Sequence, residues 1–293
     1  MFKAIFTGLV FCLLGSFSYG QGDTAAAPKQ EGLALVPPLP AGADGQIYRL
    51  RPGRDIPLTA AAAAWSGYAF TQIYSKDDTP EATIRNLKKS DINGFDRWGA
   101  DVYSRSADKI SDYPFYIAMP LPLVLLADHK IRQDGLKIAF LYLEAMSVTG
   151  LLYTGATYTV DRFRPLAYND KVPMGERREG GAKNSFFAGH VALVATSSFF
   201  VAKVYGDYHP DSKILKPVLY ATAIAATGAT AYLRHMGGKH FPSDIVLGTA
   251  VGTLSGILVP HLHKNKLIKN PNLSITPFST GRAQGLSLVY KIR

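Results

Sequence analysis

Thiols are almost missing from this chain. Its 293 residues include one cysteine, Cys12, in an apolar run at the N-terminus, so neither disulfides nor cysteine chemistry can underlie the fold or the function. Charge is sparse as well: Asp, Glu, Lys and Arg make up 18% of the residues. What charge there is leans to one sign, with 32 Lys and Arg against 22 Asp and Glu and a formal net charge of +10. That balance favours anionic partners such as phosphate esters, acidic lipid or nucleic acid. No internal repeat is visible, and the length suits one large domain with a full core or two small ones.

The first twenty residues read as a secretory signal: Lys3, an apolar run from Ala4 to Leu14, then Ser18 and Gly20 as small residues before Gln21. Cys12 follows the bulky Phe11, where a lipoprotein signal has a small residue. Residues 21–55 are rich in Pro, Gly and Ala and read as a flexible tether. Ile56 to Ser75 is uncharged, and Lys76 to Asp112 is charged and compatible with helix. From Tyr113 onward the chain alternates apolar runs with short polar loops: Tyr113 to Ala127, Ile138 to Val160, Phe186 to Ala202, Ile214 to Leu233 and Ile245 to Leu262. Runs of this length suit bilayer spans, and the shorter ones also suit buried helices. Their Ala, Gly, Ser and Thr content permits close helix packing. The expectation is an all-α helical bundle over residues 56–264, embedded in the membrane. In the tail, 265–293, Leu273–Ile275 and Leu286–Ile292 alternate as a β-hairpin would, the alternative being disorder.

Three short segments set cationic and acid–base residues at the ends of apolar helices: TYTVDRFRP from Thr157 to Pro165, SFFAGH from Ser185 to His190, and LRHMGGKHFPSD from Leu233 to Asp244. His240 and Asp244 are four apart, so on a helix they share a face. Pro242 and Ser243 are helix-start residues, which places His240 near a helix N-terminus that favours phosphate. Such a set suits phosphoryl transfer: guanidiniums on the oxygens, one imidazole attacking, a second protonating the leaving group. His235 has no second ligand at metal spacing, so no metal site is expected. His261, His263 and Lys264 read as a basic helix end.

Together the three segments resemble the signature of the type-2 phosphatidic acid phosphatase and vanadium haloperoxidase superfamily, K-x6-R-P, P-S-G-H and S-R-x5-H-x3-D. The resemblance implies a helical phosphatase with no cofactor. It makes His240 the nucleophile, Asp244 its orienting partner, and His190 the acid that later activates water. It makes Arg164 and Arg234 the holders of the phosphoryl oxygens, with the Gly189 N–H a further donor. The chain departs from the pattern at Thr157 for lysine, Phe187 and Ala188 for proline and serine, and Leu233 for serine. Each lost charge-assisted contact is worth about 1.5 to 3 kcal/mol. Lys183, with Arg162 and Lys239 beside it as candidates, is expected to supply the missing cation. A haloperoxidase holds its oxyanion by more contacts, so Thr157 and Ala188 count against that activity.

The expected substrate is a phosphate monoester or pyrophosphate on an envelope lipid, with the membrane as partner and no nucleic acid. The loop from Asp161 to Asn184 would receive the head group. Five spans with Ile56–Ser75 outside the count put all three motif segments on the outer side, and put His129, Lys130, Arg132 and Lys137, then Lys203, Lys213 and Lys216, then Lys264, Lys266 and Lys269 inside, as the positive-inside rule asks. A soluble periplasmic acid phosphatase of broad specificity and a non-catalytic binder of anionic lipid are the alternatives.

Overall fold

In the computed structural model, residues 46–265, 273–279 and 284–290 are described; the expected signal sequence, Cys12 and most of the expected tether lie outside them. The chain divides into Met1–Asp44 and Gly45–Arg293, and every described residue falls in the second unit. Among the described residues, five long helices build it: α1 (Pro52–Tyr74), α2 (Gly135–Thr159), α3 (Gly189–Tyr208), α4 (Leu215–Met236) and α5 (Pro242–Leu262). The tail pairs as an antiparallel hairpin, β1 (Leu273–Ser279) with β2 (Gln284–Tyr290), Leu273 opposite Tyr290 and Ser279 opposite Gln284.

One expectation is corrected. Lys76 to Asp112 is not one helix but a string of short turns, with helical pieces at Glu81–Arg85 and Arg105–Ile110 and 3-10 turns at Lys89–Asp91 and Arg97–Asp101. The run Tyr113 to Ala127 breaks after Ala118 and continues as a 3-10 turn from Leu121, because Pro120 and Pro122 cannot supply the helical N–H groups. The packed chain also starts inside the stretch 21–55 expected as tether: Tyr48 is fully buried, within a core of Leu125, Ile138, Leu141, Phe200 and Val204, and its hydroxyl donates to Asp207 Oδ2 at 2.7 Å. Proline-rich composition conceals such an anchor.

α3 is the axis of the bundle, buried along nearly its whole length, with α2, α4, α5 and the Tyr113–Ala127 segment packed on it. Polar side chains join the helices inside: the Thr149 and Thr196 hydroxyls are 2.7 Å apart and Tyr142 donates to Ser197 Oγ at 3.2 Å. Large apolar side chains point outward instead, among them Leu143, Leu151 and Leu152 on α2 and Val246, Leu254 and Leu258 on α5. Among the described residues, three segments are long and apolar enough to cross a membrane: Arg105–Ala127, Gly135–Thr159 and Pro242–Leu262. Polar contacts within and apolar surface without is the arrangement a lipid solvent favours.

α5 meets α3 through glycines one turn apart. A Cβ at Gly248 would lie 2.6 Å from the Ala188 carbonyl oxygen, at Gly252 2.1 Å from that of Ala192, and at Gly256 2.5 Å from that of Thr196. No side chain fits, so the two backbones are in contact. At the far end of the bundle His263 is buried against Asp55 and Glu144, its Nε2 3.2 Å and 3.4 Å from their carboxylates, while Nδ1 donates to the Val259 carbonyl at 2.9 Å. The expected basic helix end is therefore a buried acid–histidine cluster joining α1, α2 and the end of α5.

The glycine seam makes a paired prediction. Gly252→Ala forces the backbones apart and destabilises by about 1–3 kcal/mol. Gly228→Ala, on α4 with open space around the new Cβ, stabilises by up to about 1 kcal/mol through helix propensity. Denaturation of both variants in detergent checks the opposite signs.

Candidate active site

Backbone hydrogen bonds bring the three motif segments together. Arg162 N–H donates to the Lys183 carbonyl at 3.0 Å, Arg164 N–H to that of Ala182 at 2.8 Å, and Ser185 N–H to that of Arg162 at 3.0 Å, a short extended pairing of the first segment with the second. Leu166 N–H donates to the Gly238 carbonyl at 3.0 Å, and Ala188 N–H to that of Asp244 at 3.1 Å, which ties in the third. Gly238 has φ +66°, the left-handed conformation that lets the chain turn between Arg234 and His240.

His240 lies just ahead of α5 and is 2% exposed. Its Nδ1 is 2.7 Å from the Ser185 carbonyl oxygen. A carbonyl only accepts, so Nδ1 carries the proton and Nε2 keeps its lone pair. Burial, then the neighbouring Arg164 and Arg234, hold the imidazole pKa well below 6.5, and the ring is neutral.

Asp244 does not orient His240 directly. α5 begins at Pro242, so His240 precedes the helix and the shared face expected from the four-residue spacing never forms. The carboxylate instead accepts from Phe241 N–H at 3.0 Å, the reverse half of a capping box, from Ser185 Oγ at 2.6 Å, and from Arg162 Nη1. It reaches the imidazole through Ser185, whose hydroxyl it holds and whose carbonyl holds Nδ1–H.

Both expected phosphate-binding arginines are at the site. Arg234 is 4% exposed, and its Nη1 donates to Ser111 Oγ and Asp112 Oδ1, each at 3.0 Å. Arg164 Nη2 donates to the Asn184 carbonyl at 3.3 Å. The Nε–H of each is buried and meets no acceptor among the described residues, a pair of donors suited to an oxyanion. Gly189 opens α3, so its N–H has no acceptor within the helix; a side chain there would run into Tyr153 at 2.7 Å.

Lys183 is not brought to the site: its ammonium donates to the Asp77 carbonyl at 3.1 Å, since the backbone pairing that fixes residues 162–185 points it toward the Asp77 turn. Arg162 is committed too, to Asp96 Oδ2 at 2.7 Å and to Asp244, with its guanidinium 4.7 Å from the Phe241 ring centre. Thr157 is buried and donates to the Phe186 carbonyl at 2.9 Å. His235 directs Nδ1 at the His240 carbonyl, 3.3 Å away, and supports the loop.

Asp112 is the residue that sequence reasoning missed. Its Oδ1 is 3.2 Å from His190 Nε2 and 3.0 Å from Arg234 Nη1, so one oxygen serves the expected acid and an expected phosphate holder. It sits at the end of a segment read only as charged, and nothing in its spacing connects it with residues 78 and 122 positions downstream. Phe115 completes the wall, its ring 4.9 Å from that of His190.

These residues lie in or next to a segment that known proteins identify. The model of the PAP2 superfamily matches residues 138–268, which contain all three motifs. No curated protein matches the chain. A matching solved structure is the crystal structure of a transmembrane PAP2-type phosphatidylglycerolphosphate phosphatase from Bacillus subtilis, 16% identical, covering 73% of this chain and 98% of that one with a TM-score of 0.43. At that score the likeness is loose. The family match supports a phosphatase, a phosphoric ester hydrolase.

Asp112→Asn removes the charge that favours the imidazolium form of His190. The expected outcome in steady-state phosphate release is a fall in kcat of about 10- to 100-fold, the worth of a hydrogen bond to a charged group. The basic limb of the pH profile is expected to move downward, because less of His190, the expected acid, is protonated at a given pH.

Proposed function

We propose that the protein hydrolyses a phosphate monoester or pyrophosphate carried by an envelope lipid, through a phosphohistidine on His240. One observation carries the reading: a buried imidazole whose Nδ1–H is fixed on the Ser185 carbonyl, and whose company includes two arginines with unpaired buried Nε–H groups.

The steps follow from these positions. Arg164 and Arg234 hold the phosphoryl oxygens, and the Gly189 N–H adds a donor at a helix N-terminus. The Nε2 lone pair of His240 forms a bond to phosphorus as the P–O ester bond breaks. The departing oxygen takes a proton from His190. Bonding at Nε2 leaves a cationic ring, and the Ser185 carbonyl steadies it through Nδ1–H. In the second half His190 takes a proton from water, the water oxygen bonds to phosphorus, and the P–N bond breaks to release inorganic phosphate and neutral His240.

The outward-facing apolar side chains of α2 and α5 support a substrate that is itself in lipid. The positively charged loops expected inside support an outer-facing site and a periplasmic orientation. Release of the protein by osmotic shock without detergent would overturn the membrane part of this reading.

Phosphate release from a panel of purified envelope lipids tests the chemistry. His240→Ala is expected to abolish it, and equal rates in variant and wild type would end the covalent proposal. Since kcat/KM reports ionisation of the free enzyme and the His240 pKa is held well below 6.5, protonation of the nucleophile is expected to cut kcat/KM only well below pH 6.5. An acid limb centred at or above that value contradicts a buried neutral nucleophile.

A further inference from the structure

Beside His240 stands a cation that none of the three motif patterns includes. Lys239 is fixed at both ends: its backbone N–H donates to the Arg234 carbonyl at 3.0 Å, and its Nζ lies 3.0 Å from Asp108 Oδ2. Asp108 is held in turn, because Gly237 approaches it so closely that a Cβ would lie 2.9 Å from the Asp108 Cα. Burial and the charges of Arg164 and Arg234 push the lysine pKa below its ordinary value, against the pull of Asp108. The residue whose carbonyl accepts from Lys239 N–H is Arg234 itself, so the two cations share one turn of chain.

The other basic residues near the motifs are engaged elsewhere. Arg162 is held by Asp96 and Asp244. Lys183 is held by the Asp77 carbonyl, and Lys76 by Asp161 and the Thr157 carbonyl. Asp108 and Asp112, four apart in the chain, hold Lys239 and Arg234 respectively. With Arg164, three cations face two carboxylates, and the excess of positive charge depends on Lys239.

We propose that Lys239 is a third phosphate-binding cation of this site, shared between Asp108 in the free protein and a phosphoryl oxygen of the bound substrate. The proposal rests on the phosphatase reading above. Asp108 then has two effects: it positions the ammonium beside the pocket, and it competes with phosphate for it.

A double-mutant cycle on the full-length protein in detergent, with inorganic phosphate as the probe, tests both. Lys239→Ala is expected to weaken phosphate binding and lower kcat/KM by about 10- to 100-fold, as loss of a charge-assisted contact does. Lys239→Arg is expected to recover most of both. Asp108→Asn is expected to tighten phosphate binding several-fold when Lys239 is present and to have no such effect in the Lys239→Ala background. Phosphate binding and kcat/KM within twofold of wild type in Lys239→Ala would overturn the proposal. So would the same Asp108→Asn shift in both backgrounds, because additive effects mean that Asp108 does not act on phosphate through Lys239. Calorimetric phosphate affinity reads the lysine even without turnover: a wild type that binds phosphate through Lys239 but releases none from any ester defeats the phosphatase reading and leaves this one standing.

Discussion

Contact between the backbones of α3 and α5 governs the site. Gly248, Gly252 and Gly256 face carbonyl groups of α3 at distances that admit no side chain, and Ala188 N–H closes the same seam on the Asp244 carbonyl. His190 is the second residue of α3, and His240 stands two residues before α5. The relative placement of the two imidazoles is therefore set by main chain against main chain, which yields far less than contacts between flexible side chains.

Around that seam the charges follow one rule: each buried carboxylate has its donors. Asp244 takes Ser185, Phe241 and Arg162. Asp96 takes Arg162 and both the hydroxyl and N–H of Ser243. Unpaired, such charges would cost several kcal/mol each. On the cationic side, the Nε–H groups of Arg164 and Arg234 meet no acceptor among the described residues. Two buried donors without acceptors suit an anionic ligand.

Most of the bundle was legible in the sequence because apolar runs of helical length survive as α2 to α5, and proline marks where the run after Tyr113 fails. The arginines and the two imidazoles were legible through motif spacing. The role of Asp244 was not, since spacing of four implies a shared face only inside a helix, and Pro242 starts that helix after His240. Lys183 failed for a related reason: nearness in sequence says nothing of which way a paired extended segment directs its side chains. Asp112, Asp96 and Asp108 come from a segment of short turns with no periodicity, and their partners are distant in the chain. Only tertiary structure connects them. Tyr48 was hidden by its surroundings, a single anchoring aromatic after a stretch rich in proline and glycine.

The oxygen of Asp112 that faces both His190 and Arg234 gives the proposed cycle an internal timing. While His190 carries its proton, the carboxylate divides its attraction between an imidazolium and a guanidinium. Once that proton leaves with the product, the proposed cycle leaves the undivided negative charge of Asp112 beside Arg234, until His190 regains a proton from water. The protonation of the proposed acid and the charge balance around a proposed phosphate holder are thus coupled through a single atom that belongs to none of the recognisable motifs.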